Sequence, residues 1–342
     1  MKLLKVCDLK GGEVLAKAIL TPDYRILLSE ETVLRPEYIE KIKELGVTEV
    51  YIKEPELAMA QEVVLLKSEL EESFKEKVKT VLEKHTYNNS KELVELASTA
   101  DNIIDNILEE DEVVEKIFDI RERSSDIYEH SINLCSLATL TGLKLKLPME
   151  KVHDIGVGSL LHDLGLRYLT INYENQNLNT LSNVELSEYR KHPVYGYSAV
   201  KNESWITNVG KSIILYHHER IDGSGYPLKA KEIPYEAAVV GVCDAFDEMI
   251  CGIGCERVKV YEAVEYMKNY RGIKFPKEIV DTFLEFTAVY PVGSRVLLTD
   301  GRLGSVIRQN REFPNRPVIQ LENSEIVDLI KINNVFIEKV LE

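Results

Sequence analysis

At 342 residues, 44% apolar and 29% charged, the chain has the composition of a soluble globular protein and is long enough for two or three domains. A net charge of −15 argues against a nucleic-acid polymer as the main partner, because such proteins carry a basic face; it does not argue against metal cations or a small anion held by them. No run approaches the roughly 20 apolar residues of a membrane span. The N-terminus MKLLKVCDLKGGEVL lacks a secretory h-region, and five cysteines form no even disulfide framework, so a cytoplasmic location is expected.

In chain order, residues 1–56 read as a small α+β module. GEVLAKAIL and RILLSEETVL are strand-like about the turn-prone TPDY, RPEYIEKIKELG is a helix ending at Gly46, and VTEVYI is a further strand. Residues 57–110 read as a helical linker region. Within it Met59, Val63, Leu66, Leu70, Phe74, Val78 and Val81 recur at spacings of three and four, which predicts one apolar stripe along a helix over 59–85. That stripe suits packing on its own domain or a homodimer through the same helix. A second helix follows, with Ser90 as N-cap.

Residues 111–289 are helical almost throughout, with starts at SSDIYEH, LPMEKVHDIG, SNVELSEYRKH and IPYEAAVVGVCDAF. Residues 290–342 change character to a small β module, with a hairpin turning at Asp300-Gly301. The expected fold is mainly α, an all-helical domain flanked by an N-terminal α+β module and a C-terminal β module.

The chemistry concentrates in the helical domain. DIYEHSINL places Asp126 and His130 four apart on one helix face. GSLLHDLGLRYL sets His162 and Asp163 in an apolar run, YRKHPVYGY carries His192, and LYHHERIDGSGYP carries His217 and His218; Asp244 interrupts the apolar VVGVCDAFDEM. A lone histidine on an apolar helix is usually a hydrogen-bonded core residue, and DGSGYP alone is a turn. Four separate segments delivering imidazole or carboxylate from apolar surroundings are harder to dismiss. Neutral imidazoles with carboxylates suit iron, manganese or zinc, and five histidines with two or three carboxylates exceed what one ion needs. Such a multinuclear site, in which a carboxylate such as Asp163 can bridge two ions, suits phosphodiester hydrolysis by a metal-activated hydroxide. His153 has no such company and reads as surface or structural.

HDLG, HHERIDGSGYP and VCDAFDEM together, in this order, resemble the HD-GYP family, a branch of the HD phosphohydrolase superfamily, over roughly residues 120–290. The resemblance implies an all-helical HD-type domain with two or three divalent ions, usually iron or manganese, hydrolysing a cyclic dinucleotide, chiefly cyclic di-GMP. It carries metal-ligand roles onto His130, His162, Asp163, His192, His217, His218 and Asp244, with His162 and Asp163 at the catalytic centre. Gly225, Tyr226 and Pro227 form the named motif beside the substrate. Asp126 stands where some members place a glutamate that helps hold a third metal.

Two departures stand out. Leu166 follows Gly165 where the family has a lysine on the scissile phosphate, and Ile253 and Glu256 stand where basic residues are expected. Arg167 is a poor replacement, since one helical residue turns the side chain by about 100°. The implied alternatives are a catalytically degenerate member that binds a nucleotide or partner and signals by conformation, or a phosphohydrolase for another nucleotide.

Overall fold

The computed structural model describes residues 2–20, 26–53, 73–79, 90–109, 125–172, 177–310 and 313–341. They fall into two compact units: the N-terminal module and residues from Tyr290 onward form one, and the helical region up to Val289 forms the other.

In the first unit, β1 (Lys2–Lys5) pairs antiparallel with β4 (Glu49–Ile52), and the short β2 (Ile19–Leu20) pairs with β3 (Ile26–Leu28). The sequence reading placed no strand at 2–5; β1 is short and recognisable only through its partner. Helix α1 (Pro36–Glu44) starts on a proline, whose missing N–H costs nothing there, and the chain reverses at Gly46 with φ +78°. Val6, Leu15, Leu34, Ile39, Ile42, Val50 and Ile52 form this module's core. The C-terminal sheet is an antiparallel array in the order β8 (Ile326–Asp328), β7 (Val318–Leu321), β6 (Leu303–Arg308), β5 (Arg295–Leu298), β9 (Ile337–Leu341). Its β5–β6 hairpin turns at Asp300-Gly301, where Gly301 has φ +84° and the Asp300 carboxylate accepts from Arg302 N. Val296, Leu298, Val306, Ile319 and Leu329 fill a core of their own.

The second unit is helical. Its described helices are α2 (Ser90–Glu109), α3 (Ile127–Lys144), α4 (Met149–Leu161), α5 (Asn183–Tyr189), α6 (His192–Val200), α7 (Asn208–Tyr216), α8 (Tyr235–Cys251), α9 (Val260–Tyr270) and α10 (Lys277–Phe286), with a 3-10 turn at Leu164–Tyr168. Helix α3 is buried on every side from Glu129 to Gly142, and α8 from Glu236 to Asp247. A helix apolar all round belongs in the middle of a domain, so polar groups on these two elements lie inside it. Caps set the boundaries: Asp126 accepts from the Tyr128 and Glu129 amides ahead of α3, Ser182 and Glu185 form a capping box on α5, and Gly252 closes α8 with φ +75°.

Most of the predicted 59–85 helix lies outside the described residues. Residues 73–79 are helical, and the stripe positions Phe74 and Val78 are buried within the chain itself. At those two positions the stripe is covered by the chain itself. His153, on α4, is 3.0 Å from Asp101 on α2 and 42% exposed, a surface pair.

Candidate metal centre

Every piece of the constellation sits at a helix end or in a fully buried helix. His130 is in the first turn of α3, His162 and Asp163 leave α4, His192 opens α6 directly behind α5, His217 and His218 leave α7, and Asp244 is in the middle of α8. All five histidines and Asp244 are at most 4% exposed.

Three of the imidazoles are oriented alike. The Nδ1–H of His162 donates to Ser159 O at 2.7 Å, that of His192 to Tyr189 O at 2.9 Å and that of His217 to Ile214 O at 2.9 Å. His130 Nδ1 is instead 2.8 Å from the Asp247 carboxylate. These bonds fix the tautomer and leave Nε2 as a lone pair directed inward, the arrangement that prepares a histidine to hold a metal.

The inward atoms meet in two groups. His130 Nε2 lies 3.3 Å from His162 Nε2 and 3.2 Å from Asp244 Oδ1. His192 Nε2 lies 3.3 Å from His217 Nε2 and 3.2 Å from Asp163 Oδ1, with His217 Nε2 at 3.9 Å from the same oxygen. Asp163 stands between them, its other oxygen 3.2 Å from His162 Nε2. Buried lone pairs facing one another repel unless a cation lies between them, and Asp163 Oδ1 and Asp244 Oδ2, both buried, have no hydrogen-bond partner among the described residues. The donor set and these orphaned oxygens fit divalent cations. Among the described residues, His130, His162 and Asp244 make one group able to hold an ion, and Asp163, His192, His217 and His218 another.

The charge balance follows the same geometry. Burial alone would raise Asp163, but the facing His162, His192 and His217 hold its carboxyl far below the usual range. Burial lowers His217 to about 3 and pushes His218 well below the ordinary imidazole value. His130 goes the other way in the metal-free chain: burial opposes its protonation, yet the bonds to Asp244 and Asp247 raise it well above that value, so an ion bound at Nε2 would displace that proton.

The Gly-Tyr-Pro loop is fastened to the same histidines. Tyr226 N donates to His218 O at 3.2 Å and its ring stacks on the His218 ring at 4.5 Å between centroids. The buried Glu219 carboxylate accepts from Leu228 N and Ala230 N, pinning the far side of the loop. Close backbone approach explains three glycines: a Cβ on Gly225 would sit 2.4 Å from His218 O, one on Gly241 2.5 Å from His217 O, and one on Gly165 1.8 Å from His192 O.

Other predicted positions lie differently. The Asp126 carboxylate is spent on the α3 N-cap and on Lys75, 2.8 Å away, and is not among the clustered donors. Leu166 is 3% exposed, Ile253 is half-buried and Glu256 is exposed. The Arg167 guanidinium sits beside Tyr168, 5.6 Å from the ring centroid. Arg190 is exposed, and its guanidinium lies 5.6 Å from the centroid of the Tyr226 ring.

Sequence reasoning passed over Asp247, Glu248, Glu219 and Arg190. The first two are three and four residues beyond Asp244, a spacing that repeats one helix face and was there to be read. Glu219 and Arg190 reach the site through loops, which no spacing rule anticipates.

Residues 112–279 match the family model described as HD domain. A cyclic di-GMP phosphodiesterase of Pseudomonas aeruginosa is 31% identical over 196 residues, 56% of this chain and 47% of that protein. A cyclic di-GMP phosphodiesterase of Thermotoga maritima is 29% identical over 227 residues, 60% of each. The chain thus spans about half the length of the curated relatives it matches. Among solved structures, an HDG"Y"P protein from Bdellovibrio bacteriovorus superposes with a TM-score of 0.56 at 19% identity, covering 82% of this chain and 97% of that one, a likeness of fold. Motifs, helical architecture and family match agree over one region: residues 112–279 match the HD-domain family and carry motifs that resemble its HD-GYP branch.

Proposed function

We propose that the chain is a metal-dependent phosphodiesterase that opens a cyclic dinucleotide, cyclic di-GMP being the first candidate. The observation that carries this reading is the pair of facing Nε2 lone pairs, His130 with His162 and His192 with His217, on either side of Asp163. His130, His162, Asp163 and Asp244 would hold one divalent ion, and Asp163, His192, His217 and His218 a second, iron and manganese being the preferred metals. Such ions supply Lewis-acid polarisation of a phosphoryl oxygen and an activated water near neutral pH.

The chain's own groups do the rest. Burial, with the Glu248, Asp244 and Asp163 carboxylates nearby, keeps the Tyr226 hydroxyl well above its usual value, so it remains a hydrogen-bond donor across the working pH range. Gly225 and Pro227 set the loop that presents it. Arg190, over the outer face of Tyr226, has no ion-pair partner among the described residues and offers the phosphate a cation that Leu166 does not. A cytoplasmic setting suits a nucleotide substrate.

A second reading rests on Leu166, Ile253 and Glu256: a chain that keeps its metal centre but binds a nucleotide or partner without turnover, or acts on another phosphoester. Hydrolysis of cyclic di-GMP by protein reconstituted with iron or manganese, with metal per chain measured on the same sample, separates the two. Turnover with two or more ions bound supports the phosphodiesterase; full occupancy without turnover on cyclic di-GMP or a nucleotide panel moves the assignment to the binding module.

A further inference from the structure

A third cluster of donors lies beside the two already described. His218, Asp244 and Glu248 place one donor atom each within 4.8 Å of one another. Glu248 is one turn beyond Asp244 on α8, so both carboxylates project from the same face. Three observations show that this group is not satisfied by protein alone. Asp244 is fully buried and its Oδ2 has no hydrogen-bond partner among the described residues. The Glu248 carboxylate makes no hydrogen bond or ion pair among the described residues, and only its main-chain oxygen is engaged, by Gly252 N, Ile253 N and the Cys255 thiol. His218 Nδ1 stands 3.6 Å from Asp244 Oδ2, too far for a hydrogen bond. Donors about 2.1 Å from a common ion are about 3–4.2 Å apart, so the spacing is that of two ligands on one cation.

We infer that Glu248, with Asp244 Oδ2 and His218 Nδ1, forms a third divalent-cation position, and that this chain places there the acidic ligand expected at Asp126. The inference rests on reading the site as a metal centre. Two carboxylates and one imidazole carry the charge and the hard-to-borderline donors that suit manganese or ferrous iron, with no thiolate needed. Asp126 cannot serve, because its oxygens cap α3 and pair with Lys75. Glu248 instead needs no change of backbone to reach the cluster. Asp244 is shared, Oδ1 with the His130–His162 group and Oδ2 here, whereas a neutral His218 has a single lone pair, so when its Nδ1 takes this ion the neighbouring group keeps Asp163, His192 and His217.

The test counts manganese per chain by elemental analysis after reconstitution and desalting, in the wild type, Glu248→Gln and Asp126→Asn. Glutamine keeps the shape and would still donate if a proton, rather than a metal, joined Glu248 to Asp244; asparagine remains a good N-cap. The expected result is one ion fewer in E248Q than in the wild type, an unchanged count in D126N, and melting of the chelator-treated variants close to the wild type. Equal counts in E248Q and wild type overturn the third position while leaving a two-metal reading intact, as does loss of one ion in D126N alone. Loss of all metal in E248Q overturns it too, because Glu248 would then belong to the primary centre. A wild type that binds no metal overturns the metal-centre reading and this inference with it.

Discussion

Gly165→Ala tests how tightly the backbone sets the centre. The added methyl would lie 1.8 Å from His192 O and 2.7 Å from Gly196 N. Both are main-chain atoms, so no side chain can rotate away. To reach even 3.0 Å from the oxygen, the start of α6 must retreat by about 1.2 Å, and His192 moves with it. Overpacking of this kind costs about 1–3 kcal/mol, and each kcal/mol lowers the melting temperature of a domain this size by about 2–4 °C. A displacement near 1 Å at a reacting centre costs about 100-fold in rate. Scanning calorimetry of chelator-treated protein, paired with cyclic di-GMP turnover of the reconstituted protein, should show melting at least about 2 °C lower and activity down by one to two orders of magnitude. A variant that melts within about 1 °C of wild type and turns over equally would refute the argument that Asp163 and His192 are brought together by main-chain contact.

Other outcomes follow from the charge and hydrogen-bond pattern. Burial keeps His217 near 3 and His218 lower than its ordinary value, whereas both protonate near 6.5 once unfolded, so their contribution to stability is lost as pH falls from about 6.5 toward 3. His217 alone costs about 2 kcal/mol by pH 5; the raised His130 and His162 act oppositely, losing their contribution as pH rises through their folded values. Chelator-treated protein should therefore melt lower at pH 5 than at pH 7, and a flat profile would contradict the buried neutral imidazoles. Arg190→Ala should raise KM for a cyclic dinucleotide by about tenfold or more with metal content unchanged, the worth of one charge-assisted contact of about 1.5–3 kcal/mol; an unaltered KM removes Arg190 from the phosphate site. Leu166→Lys should increase cyclic di-GMP hydrolysis by a similar factor, its stem occupying the buried volume of the leucine; no gain would show that Leu166 is not what limits the rate.

The helical domain was legible because its signals are local. The stretches SSDIYEH, LPMEKVHDIG, SNVELSEYRKH and IPYEAAVVGVCDAF begin within two residues of the observed N-caps Asp126, Pro148, Ser182 and Pro234, and the histidines betray themselves by interrupting apolar faces. Strand β1 was not legible, since its identity depends on Glu49–Ile52 far along the chain. Asp126 has two local uses that compete. Spacing puts it on the His130 face, but the residue before a helix is also where a carboxylate satisfies open amides, and here the cap prevails. The resemblance directs attention to Asp126; Glu248, which has no such local use, is the carboxylate left facing the cluster.

The hydrogen bonds that aim the histidines also finish the helices. Ser159, Tyr189 and Ile214 lie in the last turns of α4, α5 and α7, where carbonyls run short of amide partners, and the rings of His162, His192 and His217 donate to them; Ser159 O also takes a long 3.5 Å bond from His162 N. Ligand direction and helix termination are thus one contact. Replacing any of these histidines by alanine uncaps a helix end as well as removing a donor, so lost activity in such variants mixes fraying with lost metal. Asparagine, which can keep an N–H toward the carbonyl, is the substitution that separates the two.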